Sequence, residues 1–141
     1  LFWAAETTLQ LYIAESSEYI RELYLAAYSH SKPASLIYLY IADKLQIHFN
    51  AYYPEYEFKD FYELEIATGG IIRGFMSVPC DMYFTMQRKV KRYLETAFLV
   101  YKVPEAKIRE AVNFVSQIDF ESAAPQVINQ LLAALDKQMI G

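Results

Sequence analysis

Few residues in this chain are equipped for chemistry. Its 141 residues include two histidines, His30 and His48, and a single cysteine, Cys80. A structural zinc site needs four nitrogen or sulfur ligands, and a di-iron carboxylate bundle needs Glu-x-x-His on two helices. Ala27 and Leu45 occupy the positions three before the histidines, so that motif is missing. No metal site is expected, and His48 reads as a hydrogen-bonded, semi-buried residue on a helix flank. Cys80 stands between Pro79 and Asp81, beside a helix start of the kind that lowers a thiol pKa. No histidine is near it in sequence, and a small apolar loop residue is the simpler reading. Gly69, Gly70 and Gly74 follow neither phosphate-loop nor dinucleotide-binding spacing. The expectation is no catalytic residue, no cofactor and no enzyme.

Two charges stand out by their surroundings. From Leu64 to Met76 only Glu65 and Arg73 are ionisable, in a segment whose apolar residues point in every direction at helical pitch. A helix apolar all round must be covered on all sides. Burying charge there is costly unless another group or a ligand pairs with it. Aromatic residues are abundant, with 13 Tyr and 9 Phe. Aromatic walls with a few hydroxyls and one charge suit a flat or apolar small molecule. Tyr19, Tyr24, Tyr38, Phe61, Tyr62, Glu65 and Arg73 are the expected ligand-binding set, with Tyr28, Tyr40 and Tyr83 as further aromatics. Arg88, Lys89, Lys91 and Arg92 cluster within five residues, opposite an apolar stripe, and read as a solvated face.

These residues must be positioned by helices. No segment alternates as a half-buried strand does, and no Asn-Gly or Asp-Gly hairpin signal occurs. Five prolines and a few polar breaks divide the chain into about six helices, at roughly 2–28, 34–52, 56–77, 81–102, from Pro104, and 123–138 with Ser122 as cap. The expected fold is an all-α bundle forming one domain over residues 1–141. Hydrophobic content of 55% is enough for a core. A net charge of −4 argues against nucleic-acid binding by these residues themselves. The longest uncharged run, Ser122 to Leu135, has 14 residues, short of the roughly 20 that span a bilayer. One cysteine and no basic leader fit a cytoplasmic location. Leu1, opening inside a helical pattern without a Met, reads as the cut edge of a longer protein.

The run DFYELEIATGGIIRGFMSVPCDMYFT (60–85), followed by QRKVKRYLETAFLVYKVP (87–104), resembles the C-terminal regulatory domain of TetR/AcrR-family transcriptional regulators. By helix order the resemblance extends over the whole chain, but it is specific only from about 61 to 104. It implies a homodimer built on the third and fourth helices, with Gly70 and Gly74 at closest approach and Tyr93 and Phe98 in the interface. It also implies a pocket for a small-molecule effector, lined by the helices before them, and DNA contact only through an N-terminal helix-turn-helix absent from this chain. A repressor domain with no membrane association is the leading expectation. The rivals are a small helical enzyme using Arg73 with Glu65 or Tyr62, and a structural adaptor, which has an apolar interface but no cavity.

Overall fold

The computed structural model describes residues 1–29 and 31–140. His30 and the side chain of Tyr28 lie outside the described residues. Among the described residues every regular element is helical, as the periodicity predicts: α1 (Phe2–Glu15), α2 (Glu18–Ser29), α3 (Ser31–Phe49), α4 (Phe58–Met76), α5 (Met86–Val100), α6 (Glu105–Ser116) and α7 (Phe120–Ile140), with a single 3-10 turn at Asn50–Tyr52. Among the described residues no helix is long and apolar enough to cross a membrane.

Among the described residues seven helices replace the expected six, because the first segment breaks at Ser16-Ser17. Ser16 Oγ donates back to the Ile13 carbonyl at 2.6 Å, and Ser17 Oγ accepts the Ile20 amide at 3.1 Å. Serine hydroxyls thus compete with the helix ladder, ending one helix and capping the next. α5 begins at Met86 rather than 81, because Asp81 Oδ1 accepts the Tyr83 and Phe84 amides in a turn and Thr85 caps the helix. Asp119, not Ser122, opens α7, with its carboxylate accepting from the Ser122 amide at 3.2 Å. Pro125 does not break that helix but lies within it.

The hub is α1, which packs against α2, α4, α5, α6 and α7, while α3 lies along α4. Residues on several sides of α1 are buried, among them Trp3, Thr7, Thr8, Leu11 and Ile13. Trp3 anchors an aromatic core: Phe49 meets it edge-on at 5.6 Å, Tyr101 at 5.4 Å, and Phe98 lies at 5.1 Å. Phe49 and Tyr101 stack at 4.2 Å. Such ring pairs contribute about 0.5–1.5 kcal/mol beyond the burial of their area. Tyr93 and Phe98, expected at a dimer interface, belong to this core at 1% and 4% exposure and offer no surface to a partner. The stripe of α5 is spent on the chain's own interior.

α4 is not covered on all sides. Ile66, Ala67, Gly70 and Gly74 form an exposed stripe, opposite a buried face of Phe61, Glu65, Thr68, Gly69, Ile72 and Met76.

The basic cluster is also divided. Arg88, Lys91 and Arg92 are exposed, but Lys89 is 1% exposed. Its ammonium donates to Glu15 Oε2 at 2.9 Å and to the Val78 carbonyl, and lies over the Phe84 ring. Glu15 also pairs with buried Arg21 at 2.9 Å and accepts the Cys80 amide at 2.8 Å. One carboxylate therefore ties α1, α2, α5 and the 77–85 loop together. Charge spacing alone gives no sign of it, because Lys89 and Glu15 are 74 residues apart.

Candidate functional site

A cavity of about 620 Å³ opens among α1, α2, α3, α4 and the middle of α5. That volume falls within the range of about 300–1,000 Å³ usual for small-molecule pockets. Trp3, Glu6, Thr7 and Gln10 supply the α1 wall, at one-turn spacing along a single helix face. Leu23, Tyr24 and Ala27 of α2 and Leu36, Tyr40, Ile41 and Lys44 of α3 add the sides. Glu65, Thr68, Gly69 and Ile72 of α4, with Tyr93 of α5, close the far wall. The lining is mostly apolar and aromatic.

Glu65 is the chemical centre of the cavity. It is 3% exposed because it shares the inward face of α4 with Phe61, Thr68 and Ile72. Thr68 Oγ1 lies 3.2 Å from Glu65 Oε2 and 3.1 Å from the Leu64 carbonyl, and its single hydrogen serves one or the other. Tyr101, at the end of α5, donates its phenol to Thr68 Oγ1 at 2.6 Å. Burial pushes the Glu65 carboxyl up to about 8, against smaller opposing effects of the Thr68 hydrogen bond and the Arg73 charge. At neutral pH Glu65 is therefore mainly an uncharged acid. The phenols of Tyr101 and Tyr24 are raised by burial as well.

Gly69 makes room for this carboxyl. A Cβ at Gly69 would stand 3.1 Å from Glu65 Oε1 and 3.3 Å from the Tyr38 ring, whereas one at Gly74 meets nothing within 4 Å. The glycine at the tight internal approach is thus Gly69, while Gly70 and Gly74 face outward. Gly74→Ala is expected to raise stability by about 0.5–1 kcal/mol through helix propensity, and Gly69→Ala to show no such gain. Thermal unfolding of the two variants checks this.

The expected ligand-binding residues divide. Tyr24 and Glu65 are in the wall. Tyr38 packs over Gly69 and meets Tyr62 edge to face at 6.3 Å, beside the cavity and not in its lining. Phe61 is wholly buried against Tyr53 and Tyr56, in the core. Arg73 is half-buried outside the lining, its Nε donating to the Gly69 carbonyl at 3.2 Å. Tyr19 is 66% exposed, because the Ser16-Ser17 break turns α2 away from the continuous stripe assumed for one long helix. Tyr83 likewise stands exposed on the loop before α5.

The α1 wall was missed, although Trp3, Glu6, Thr7 and Gln10 carry the spacing of one helix face. Tyr93, assigned elsewhere, is part of the lining. His48 is exposed, not semi-buried, with Phe2 stacked near its ring at 6.0 Å. Burial raises the Cys80 thiol, contrary to a helix start lowering it. Among the described residues, no group of acidic, histidine or cysteine side chains is arranged to hold a metal ion. No family model, curated protein or solved structure matches the chain.

Proposed function

We propose that the chain is the effector-binding and dimerisation domain of a TetR-like transcriptional repressor, taking a small apolar or aromatic molecule into the cavity between α1 and α5. The observation that carries this reading is the cavity itself: large enough for a small molecule, mostly apolar, aromatic on several walls, and holding one buried acid. A structural adaptor predicts no such space. Residues 60–104 supply the resemblance, and α4 leaves the Ile66–Gly70–Gly74 stripe open for a second copy. Because the first turn of α1 is in the cavity wall, a ligand preferring one arrangement of α1 would shift any DNA-reading domain joined to Leu1. Coupling requires no more than such a preference, and paired half-sites at fixed separation make the spacing matter.

Two measurements test the two halves. A panel of aromatic compounds should quench the fluorescence of Trp3, the single tryptophan, and raise the melting temperature. Light scattering should give a dimer at micromolar concentration, and Gly70→Leu should shift it toward monomer. A wild-type monomer would overturn the interface assignment while leaving the pocket intact. A helix-turn-helix encoded upstream of Leu1 would support the class.

Glu65 favours a second reading, a small enzyme using this carboxyl as general acid or base, since its pKa lies near operating pH. Neither Arg73 nor Tyr62, the partners considered for it, lines the cavity. Turnover of a bound compound that stops in Glu65→Gln would establish the enzyme. Stoichiometric binding with the compound recovered unchanged supports the regulator.

A further inference from the structure

We propose that the cavity selects a lipophilic monocation, an aromatic ammonium compound whose charge is met by Glu65. This rests on the pocket reading above and names the class of ligand. Among the described residues of the lining, the acids are Glu6 and Glu65 and the cation is Lys44. With all three ionised these described groups carry one net negative charge, which a single bound cation cancels. Trp3, Tyr24, Tyr40 and Tyr93 present rings to the same space. A ring face attracts a cation within about 6 Å, more strongly when water is excluded. One of these rings already does so: the Lys44 ammonium lies 5.3 Å from the Tyr40 centroid.

The groups around Glu65 define how the charge is met. Thr68 on its own helix bonds the carboxyl, and Tyr101 reaches it only through Thr68. The Arg73 guanidinium lies outside the lining, donating to the Gly69 carbonyl, and only partly offsets the burial that keeps the acid neutral. Tyr38 packs against Gly69, and Glu6, Lys44 and Tyr93 face the cavity from α1, α3 and α5. The empty pocket therefore holds a protonated Glu65 at neutral pH, and a cation entering beside it expels that proton to solution. Binding and proton release are one equilibrium: the ligand's positive charge replaces the proton's.

The test uses a charged and an uncharged probe of the same shape, (2-naphthylmethyl)trimethylammonium and its carbon isostere 2-neopentylnaphthalene. Quaternary nitrogen cannot titrate, so any pH dependence belongs to the protein. Affinity is read from Trp3 fluorescence, and proton release from calorimetry in buffers of different ionisation enthalpy. The expected result is that the ammonium probe binds more tightly by close to tenfold for each unit between pH 6 and 7, levels off above about 8, and releases close to one proton at pH 7. The isostere should show no such rise. Glu65→Gln keeps the side chain's shape and should lose the pH dependence for the ammonium probe. An isostere that binds while the ammonium probe does not overturns the cation assignment and leaves the pocket standing. Failure of both probes overturns the pocket reading with it. Because the pH series is measured on the wild type, the outcome does not depend on the variant folding.

Discussion

Between pH 5 and 8 the chain is expected to lose folding stability as pH rises, and Glu65→Gln to abolish most of that loss. In the unfolded chain Glu65 titrates near its ordinary value of 4.5, and in the folded chain near 8. Across that window the native state keeps a proton that the unfolded state has released, so stability falls by about 1.4 kcal/mol per pH unit. The contribution is whole below pH 4.5, declines through the window and is exhausted above 8, a loss on the order of 5 kcal/mol in all. Glutamine makes a similar fit without a charge to bury, so the variant should be the more stable protein at pH 9. Glu15, Asp81 and Asp119 have lowered pKa values. Their contributions are present above the ordinary carboxylate range and lost as pH falls through their folded values, outside this window. Urea midpoints at pH 5, 6.5 and 8 measure the effect. A wild-type midpoint that does not move would mean that water reaches the Glu65 carboxyl.

The second large effect is expected at Glu15. Glu15→Ala leaves two buried cations, Lys89 and Arg21, without their shared counter-ion, Arg21 keeping only the exposed Glu18. Removing one partner of a buried ion pair destabilises by about 3–5 kcal/mol. Lys89→Met should be milder, since Glu15 keeps Arg21 and the Cys80 amide and the methionine stem still fills the space beside Phe84. In the double variant Glu15→Ala should cost less than it does alone, because Lys89 is no longer stranded. Denaturant unfolding of the four proteins closes the cycle. Equal costs for Glu15→Ala in both backgrounds would show that the pair contributes no coupling. A thiol reagent offers a further readout, since losing Glu15 also frees the loop bearing Cys80.

The helical class was legible because heptad-like spacing survives any error in boundaries. Met86, Val90, Tyr93, Leu94, Ala97, Phe98 and Tyr101 form one stripe in the sequence and one packed face in the fold. The candidate site was legible in part. Glu65 was conspicuous as a charge in an apolar helix, and its burial follows from sharing a face with Phe61 and Ile72. Tyr24 fell in the wall as expected, but Tyr19 did not, because two serine hydroxyls interrupt a helix that periodicity alone runs straight through.

Sequence by itself determined the composition of each helix face, since local spacing fixes which residues share a face. Which face meets which was decided only in three dimensions. Tyr93 and Phe98 looked available to a partner until Trp3, some 90 positions away, was packed against them. Lys89 looked solvated until Glu15 was brought to its ammonium. The cavity too belongs to no single segment, being the space left where α1 to α5 meet without filling it. Long-range pairing of this kind depends on complementary volume and charge between elements, and helical periodicity carries no record of it.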